Sequence, residues 1–258
     1  MSPPKTVLVV GANRGIGNQL ATRFLNGNYV VYGTVRPETR TDPSVHQLSA
    51  KGGKILELDL LDETSVNQAA KDFGHQPLDI LINVAGLYYL WDDKPFSDQS
   101  ADDLVEHFRV NVVVPSPFVQ RGFLTRWLTF QGPFTVSKAF LPSLSLSPSA
   151  QVINISSDFA SIADNTGGNA SYRISKAGVN QLTKNMAVDL EKSGKTNIKT
   201  LAVHPGYVAT KMTGYVGEDD METCMSSLVK VIERFGTEAG EDLPNGGYVR
   251  WNGEVMAY

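Results

Sequence analysis

Tyr172 and Lys176 stand four residues apart in the stretch YRISKAGVNQLTKNMAVDL, and a serine pair, Ser156 and Ser157, closes an apolar run just upstream. On a helix, positions i and i+4 share one face, so the Lys176 ammonium can lie beside the Tyr172 phenol and favour its phenolate. A phenol with its pKa lowered in this way is an acid near neutrality. A Tyr and a Lys at this spacing also occur in helices that do no chemistry, with the serines serving as a strand end or a cap. The pair therefore gains meaning only from what surrounds it.

The first candidate partner is a glycine turn. The apolar run ending at Val10 leads into Gly11-Ala12-Asn13-Arg14-Gly15-Ile16-Gly17 and then into the amphipathic segment NQLATRFLNGN. Strand, glycine turn and helix form the context of a dinucleotide site. Gly11 permits the tight turn, Gly15 lets backbone approach a pyrophosphate, Gly17 lets helix and strand pack closely, and the helix N-terminus offers free N–H groups to an anion. An NAD site usually places an Asp or Glu near the end of the second strand to hold the ribose 2′-hydroxyl. Here YVVYGTVRPETR has no acid at that place and ends in Arg36, with Arg14 inside the glycine loop. Two guanidinium groups suit a 2′-phosphate, so NADP(H) is favoured over NAD(H); the alternative is that both arginines are solvated surface residues. Asp59, after the third strand, could accept from an adenine amino group or merely serve the helix that starts near Asp62. Asn83-Val84-Ala85-Gly86 reads either as a turn supporting the cofactor loop or as a simple helix entry.

The elements that must position these residues alternate. Short β-branched runs recur at Thr6–Val10, Tyr29–Val35, Lys54–Leu58, Asp79–Asn83, Gln151–Ser156 and Ile198–His204, separated by segments of helical periodicity. This pattern predicts an α/β fold: one Rossmann-type, doubly wound parallel sheet of about seven strands with helices on both faces. Right-handed crossovers put the strand carboxyl ends along one edge, where ligands bind. At 258 residues with no low-complexity linker, the chain reads as a single domain over 1–258.

Together these residues resemble the short-chain dehydrogenase/reductase family, in order and over nearly the whole chain: the GANRGIG loop, Asp59, NVAG, Asn111, the Ser157/Tyr172/Lys176 set, and Pro205-Gly206-Tyr207-Val208-Ala209-Thr210 after the sixth strand. The loop between Ser157 and Tyr172 is most similar to the NADPH-dependent carbonyl reductases of the sniffer and C-factor-like branch. The resemblance implies reduction of a ketone or aldehyde, or oxidation of the corresponding alcohol, by hydride transfer. In that reading Tyr172 protonates the carbonyl oxygen, Lys176 lowers the tyrosine pKa and holds the nicotinamide ribose, Ser157 hydrogen-bonds the carbonyl, and Asn111 supports a water relay to Lys176. The implied cofactor contacts are Gly11, Asn13, Arg14, Gly15, Ile16, Gly17, Arg36, Asp59, Leu60, Asn83, Ala85, Gly86, Tyr172, Lys176, Pro205, Gly206, Val208 and Thr210. The segment from Lys211 to about Met225 is expected to be a mobile substrate lid. Its Met212, Tyr215 and Met221, with Tyr207, suggest an apolar pocket, unless they simply pack. Two departures stand out: Val10 replaces the threonine that usually opens the glycine loop, and NVAG replaces Asn-Asn-Ala-Gly. Each removes a polar link between neighbouring loops.

One segment breaks the rhythm. Reading VNVV directly into GPFTVSKAFLPSL gives one continuous amphipathic helix, whereas Val114–Gln131 brings Pro115, Pro117 and Gly122 into its middle, where a proline costs about 3 kcal/mol. Valine codons begin with GT and glutamine can be encoded CAG, the ends of an intron, so the segment reads as a short retained intron translated in frame, leaving a chain that is less stable and inactive. The alternative is a true insertion whose Trp127, flanked by Phe and Leu, forms an exposed apolar patch. The helix it interrupts builds the subunit interface in relatives of this family, which leaves a homodimer or homotetramer open.

Composition narrows the rest. A formal charge of −4 with no basic run gives no footprint for nucleic acid or anionic membrane. No apolar run reaches the roughly 20 residues of a membrane span. The N-terminus reads as a first strand rather than a leader, and the single cysteine, Cys224, suits a reducing compartment, so the expected location is cytoplasmic. His46, His75, His107 and His204 share no metal-ligand spacing, and no metal is expected. The expected partner is a small carbonyl or alcohol substrate. Other readings are a cofactor-binding sensor or scaffold without turnover, or epimerase or dehydratase chemistry, for which about 50 residues after Pro205 leave little room.

Overall fold

The computed structural model describes residues 3–88, 96–112 and 132–258. Seven strands form one parallel sheet: β1 Lys5–Val10, β2 Tyr29–Val35, β3 Lys54–Glu57, β4 Ile80–Asn83, β5 Ala150–Ile155, β6 Ile198–His204 and β7 Gly247–Arg250. Their order is β3-β2-β1-β4-β5-β6-β7, so the order reverses between β1 and β4, where a ligand crevice opens beyond the strand ends. Six of the strands match the runs read from sequence to within two residues at either end. The seventh, a four-residue strand between glycines, pairs with β6 from Leu201↔Gly247 to His204↔Arg250.

The strands are apolar throughout because helices cover both faces. Val7, Val9, Ile80, Ile82, Ile153, Ile155, Leu201 and Val203 meet α1 (Gly15–Asn26), α2 (Pro43–Ala50) and α7 (Met221–Arg234) on one face. Leu8, Val10, Leu81 and Val152 meet α3 (Glu63–Phe73), α5 (Pro133–Leu146) and α6 (Ala170–Lys192) on the other. The period of two along each strand sorts the residues between these layers.

Helix α4 (Ala101–Asn111) packs along α6 near Gly178, where an added Cβ would lie 3.0 Å from Val112 and 3.1 Å from Phe108. The helix that VNVV and GPFTVSKAFLPSL would form if joined is interrupted, as the prolines of the intervening segment lead one to expect. Helix α4 ends at Asn111, and α5 starts afresh from Gly132 with Pro133 in its first turn. Gly132 lies directly against Val112, since a Cβ there would come within 2.9 Å of the Val112 carbonyl. The two sides of the atypical segment thus meet in space; Val114–Gln131 itself, with the apolar patch and intron readings placed on it, lies outside the described residues. Among those residues, no helix is long and apolar enough to cross a membrane.

Candidate active site

A cleft of about 710 Å³ opens along the carboxyl ends of the strands. Its floor on one side is the glycine turn. Gly11 has φ +87 and a Cβ there would meet Ala85 at 3.0 Å; Gly17 cannot carry a Cβ at all, because it would lie 2.1 Å from the Gly11 carbonyl oxygen. At Gly15, φ +53, a Cβ would meet only the Thr210 side chain, at 3.6 Å. The N-cap of α1, Arg14, makes no side-chain cap bond, whereas Asp62, Ser100 and Asp220 cap α3, α4 and α7. Bare N–H groups at a helix start beside a glycine cradle fit an anionic pyrophosphate. Valine at position 10 offers no hydroxyl to the loop, and β2 supplies one instead: Gly11 N donates to Thr34 Oγ1 at 3.1 Å.

Arg14 and Arg36 are both exposed and both line the cleft. Arg36 is paired with Glu38 at 2.9 Å, so a ligand phosphate would compete with that carboxylate. Asp59 also lines the cleft, with Leu60. Its carboxylate accepts from Leu61 N at 2.9 Å, while Asp62 caps α3 through Thr64 N; the helix-start role belongs to Asp62. Ala85 and Gly86 line the cleft as well, but Asn83 does not. Asn83 is buried and donates to Asn154 Oδ1 at 2.8 Å and Ser137 Oγ at 3.3 Å, so its side chain serves the sheet interior.

The other wall carries the tyrosine. Lys176 sits one turn along α6 from Tyr172, and its Nζ lies 5.7 Å from the Tyr172 ring centroid and donates to the Ile155 carbonyl at 2.8 Å. The two adjacent serines part company: Ser156 Oγ donates to Asn180 Oδ1 at 2.6 Å, whereas Ser157 hydrogen-bonds the Tyr172 phenol. Ser157 is held on three sides. Its Oγ accepts from Phe159 N at 3.2 Å and donates to Asp158 Oδ1 at 3.0 Å, and its carbonyl accepts from the buried Tyr248 hydroxyl of β7. Asn111, at the end of α4, accepts from Leu87 N at 2.6 Å and donates to Leu87 O and Ser175 Oγ, both at 2.9 Å. Its amide thus holds the turn after β4, and it makes no direct bond to Lys176 among the described residues.

The lowered phenol pKa expected from the Tyr-Lys spacing is not what the surroundings give. Tyr172 is enclosed by the rings of Tyr88 at 4.7 Å, Phe159 at 6.1 Å and His107 at 6.2 Å. Burial pushes the phenol well above its ordinary value; the Ser157 hydrogen bond works against this, and Asp158 and Tyr88 add to it. Burial likewise lowers Lys176 to about 8. Desolvation is the leading cause for both groups.

The segment after β6 also departs from expectation. Val208 and Thr210 line the cleft with Pro205 and Gly206, as do Tyr207 and Met212. Tyr215 is 73% exposed, and Met221 opens α7 and packs on the core, so neither belongs to the pocket. The expected lid is cut short, because Cys224 and Met225 lie buried in the first turn of α7. What remains folds back tightly: Glu218 N and Asp219 N both donate to Tyr207 O, and Asp219 Oδ2 accepts from Tyr207 N at 2.7 Å. Sequence reasoning missed Tyr88, Phe159, His204 and Glu106 as cleft residues. Only His204 carries a usable signal, as the last residue of a strand that runs straight into Pro205-Gly206.

The model of the short chain dehydrogenase family matches residues 5–122 and 127–221. An uncharacterized oxidoreductase of Schizosaccharomyces pombe is 27% identical over 98% of both chains, and the C-signal protein of Myxococcus xanthus is 30% identical over 63% of this chain and 84% of its own. Among solved structures, the carbonyl reductase Sniffer of D. melanogaster superposes with a TM-score of 0.81 at 28% identity, covering 99% of this chain and all of that one. The NADPH-bound carbonyl reductase from chicken fatty liver gives 0.80 at 28% identity over the whole of both chains. A glycine cradle facing a Tyr-Lys-Ser wall, in this topology and with this match, makes the chain a member of the short chain dehydrogenase family of oxidoreductases.

Proposed function

We propose that the protein is an NADP(H)-dependent carbonyl reductase, taking a ketone or aldehyde to the alcohol. The observation that carries this reading is the meeting, across one cleft, of an uncapped glycine-rich helix start with a phenol that Ser157 hydrogen-bonds. The naming of NADPH in the related chicken structure supports the cofactor choice, together with Arg14 and Arg36 on the cleft and the absence of an acid at the end of β2.

When bound, the reduced nicotinamide supplies the hydride. The chain supplies the rest. Arg14, Arg36 and the α1 N-terminus would hold the phosphates, and Val208 and Thr210 would contact the nicotinamide. Ser157 would turn its one hydroxyl proton from Asp158 to the carbonyl oxygen, and Tyr172 would give that oxygen its proton. A phenol raised by burial is fully protonated at neutral pH, which suits a proton donor and so the reductive direction. Lys176, with a pKa of about 8, retains its proton at neutral pH and can return one to Tyr172. His204, buried beside the cleft with Nδ1 accepting from Asp158 N at 3.0 Å and lowered by burial, stays neutral and orders the Ser157–Phe159 turn.

The test is a titration of the purified chain with NADPH and NADH by bound-nucleotide fluorescence, followed by NADPH consumption with an aldehyde and a ketone. Y172F should bind NADPH as the wild type does and lose turnover. Turnover by Y172F at the wild-type rate would overturn the assignment.

A further inference from the structure

Helix α6 is launched by three successive left-handed residues, Gly167 (φ +83), Gly168 (φ +69) and Asn169 (φ +49). Arg173 stands in the first turn, and a helical side chain leans back toward the N-terminus. Its guanidinium accordingly lies on the launching turn: Nε donates to Gly167 O at 3.1 Å and Gly168 O at 3.0 Å, and Nη2 donates to Thr166 Oγ1 at 3.0 Å. Its flat face covers the Phe159 ring, with Cζ 4.2 Å from the centroid. Phe159 in turn meets the Tyr172 ring edge-on at 6.1 Å. On the opposite side Tyr88, 4.7 Å from Tyr172, donates to Asn169 Oδ1 at 3.3 Å.

The guanidinium thus touches the ring of Phe159, one of the three that enclose Tyr172, and the turn whose Asn169 accepts from Tyr88, a second of them. A space filler would not be built this way. Arg173 is only 7% exposed, has no carboxylate partner among the described residues, and places a cation at a helix N-terminus, where the dipole opposes it. An apolar side chain would fill the volume without those costs. What the guanidinium adds is directed donors to a left-handed turn and a planar face for the ring.

We propose that Arg173 is a positioning residue for Tyr172, stapling the Thr166–Asn169 turn to Phe159 so that the phenol is held at Ser157. This rests on the reading of Tyr172 as the proton donor. A displacement of about 1 Å at a reacting group can cost on the order of 100-fold in rate. R173K keeps the charge and loses the fork; F159L attacks the same staple from the ring side. Each should lower kcat by about tenfold to 100-fold, and in R173K, whose side chain does not line the cleft, the NADPH dissociation constant should be unchanged.

The decisive comparison is made in the Y172F background. If Arg173 acts through Tyr172, R173K removes nothing further from the residual rate there. An equal fractional loss in both backgrounds, or wild-type kcat in folded R173K and F159L, would overturn the proposal. If the wild-type chain reduces no carbonyl, the reading of the site fails by itself. The staple is then judged by hydrogen exchange at the Gly167–Tyr172 amides: exchange about tenfold faster in R173K supports it, and unchanged protection overturns it.

Discussion

Two adjacent serines offer a sharp test, because their surroundings give them opposite consequences. In S157A the phenol loses its hydrogen-bond partner, and removing one such donor at a site of developing charge costs about 2.7–4 kcal/mol, or roughly 100-fold to 1000-fold in kcat. Stability should change little: the lost bond to Phe159 N ends the cap of the 158–160 turn, worth about 1 kcal/mol and about 2–4 °C in a chain of this size. In S156A the buried Asn180 side chain loses its donor at Oδ1, and its Nδ2 has no partner to begin with. Leaving a buried amide unsatisfied costs about 2 kcal/mol, a fall of about 4–8 °C, while turnover should stay within a few-fold of wild type. Thermal melts and NADPH consumption, run on the same preparations, separate the two. Loss of turnover in S156A with normal rates in S157A would refute the assignment of roles, since both hydroxyls border the same cleft.

Replacing Arg14 or Arg36 by alanine should weaken NADPH binding by about tenfold, the lower end for a hydrogen bond to a charged group, and leave NADH binding unchanged; equal losses for both nucleotides would remove the 2′-phosphate role. Lys176 is lowered to about 8 by burial, so its protonated form is the one the fold resists: the penalty is complete below pH 8 and is relieved as pH rises from about 8 to 10.5. Relative to K176M, the wild type should gain on the order of 3 kcal/mol across that window, measured by denaturant melts at pH 7.5 and 10; parallel pH profiles would contradict the burial argument. Val112 and Gly132 already touch, and closing a flexible 19-residue connection between such points costs about 2.6 kcal/mol in chain entropy, an upper bound for any more ordered one. A chain lacking Val114–Gln131 should therefore be more stable by up to that amount and at least as active, as read by the same melts. Transcripts that all retain the segment would sink the intron reading independently.

What could be read from the sequence follows from what each pattern encodes. The glycine loop and six strands are legible because their signals are local: a β-branched run, a tight turn, a helix behind it. Strand β7 is not, since its four residues, opening on Gly247 after Gly246 and followed by Trp251-Asn252-Gly253, give too short a run to show a period. Yet its Tyr248 hydroxyl holds the Ser157 carbonyl. Phe159 and Arg173 carry no signal for a related reason: their roles arise from a turn of three left-handed residues that spacing cannot reveal. Asn83 shows the converse error, an apparent motif residue whose side chain points into the sheet.

The choice between Ser156 and Ser157 illustrates the limit most clearly. Both hydroxyls border the cleft and both meet α6, Ser156 at Asn180 and Ser157 at Tyr172, and only the three-dimensional crossing of β5 with α6 decides which serine reaches the phenol. The Tyr172 phenol extends the same point from geometry to energy. Spacing of i and i+4 correctly put Lys176 and Tyr172 on one face, but the sign of the phenol's shift depends on how dry that face is. Three rings from three separate parts of the chain, Tyr88, His107 and Phe159, set that dryness. In the proposed reaction, a phenol so enclosed would keep its proton at neutral pH until a carbonyl oxygen gained negative charge beside Ser157. The same burial that contradicts the expected acidity would thus keep a proton donor loaded, while making it a weaker acid than the spacing alone suggests.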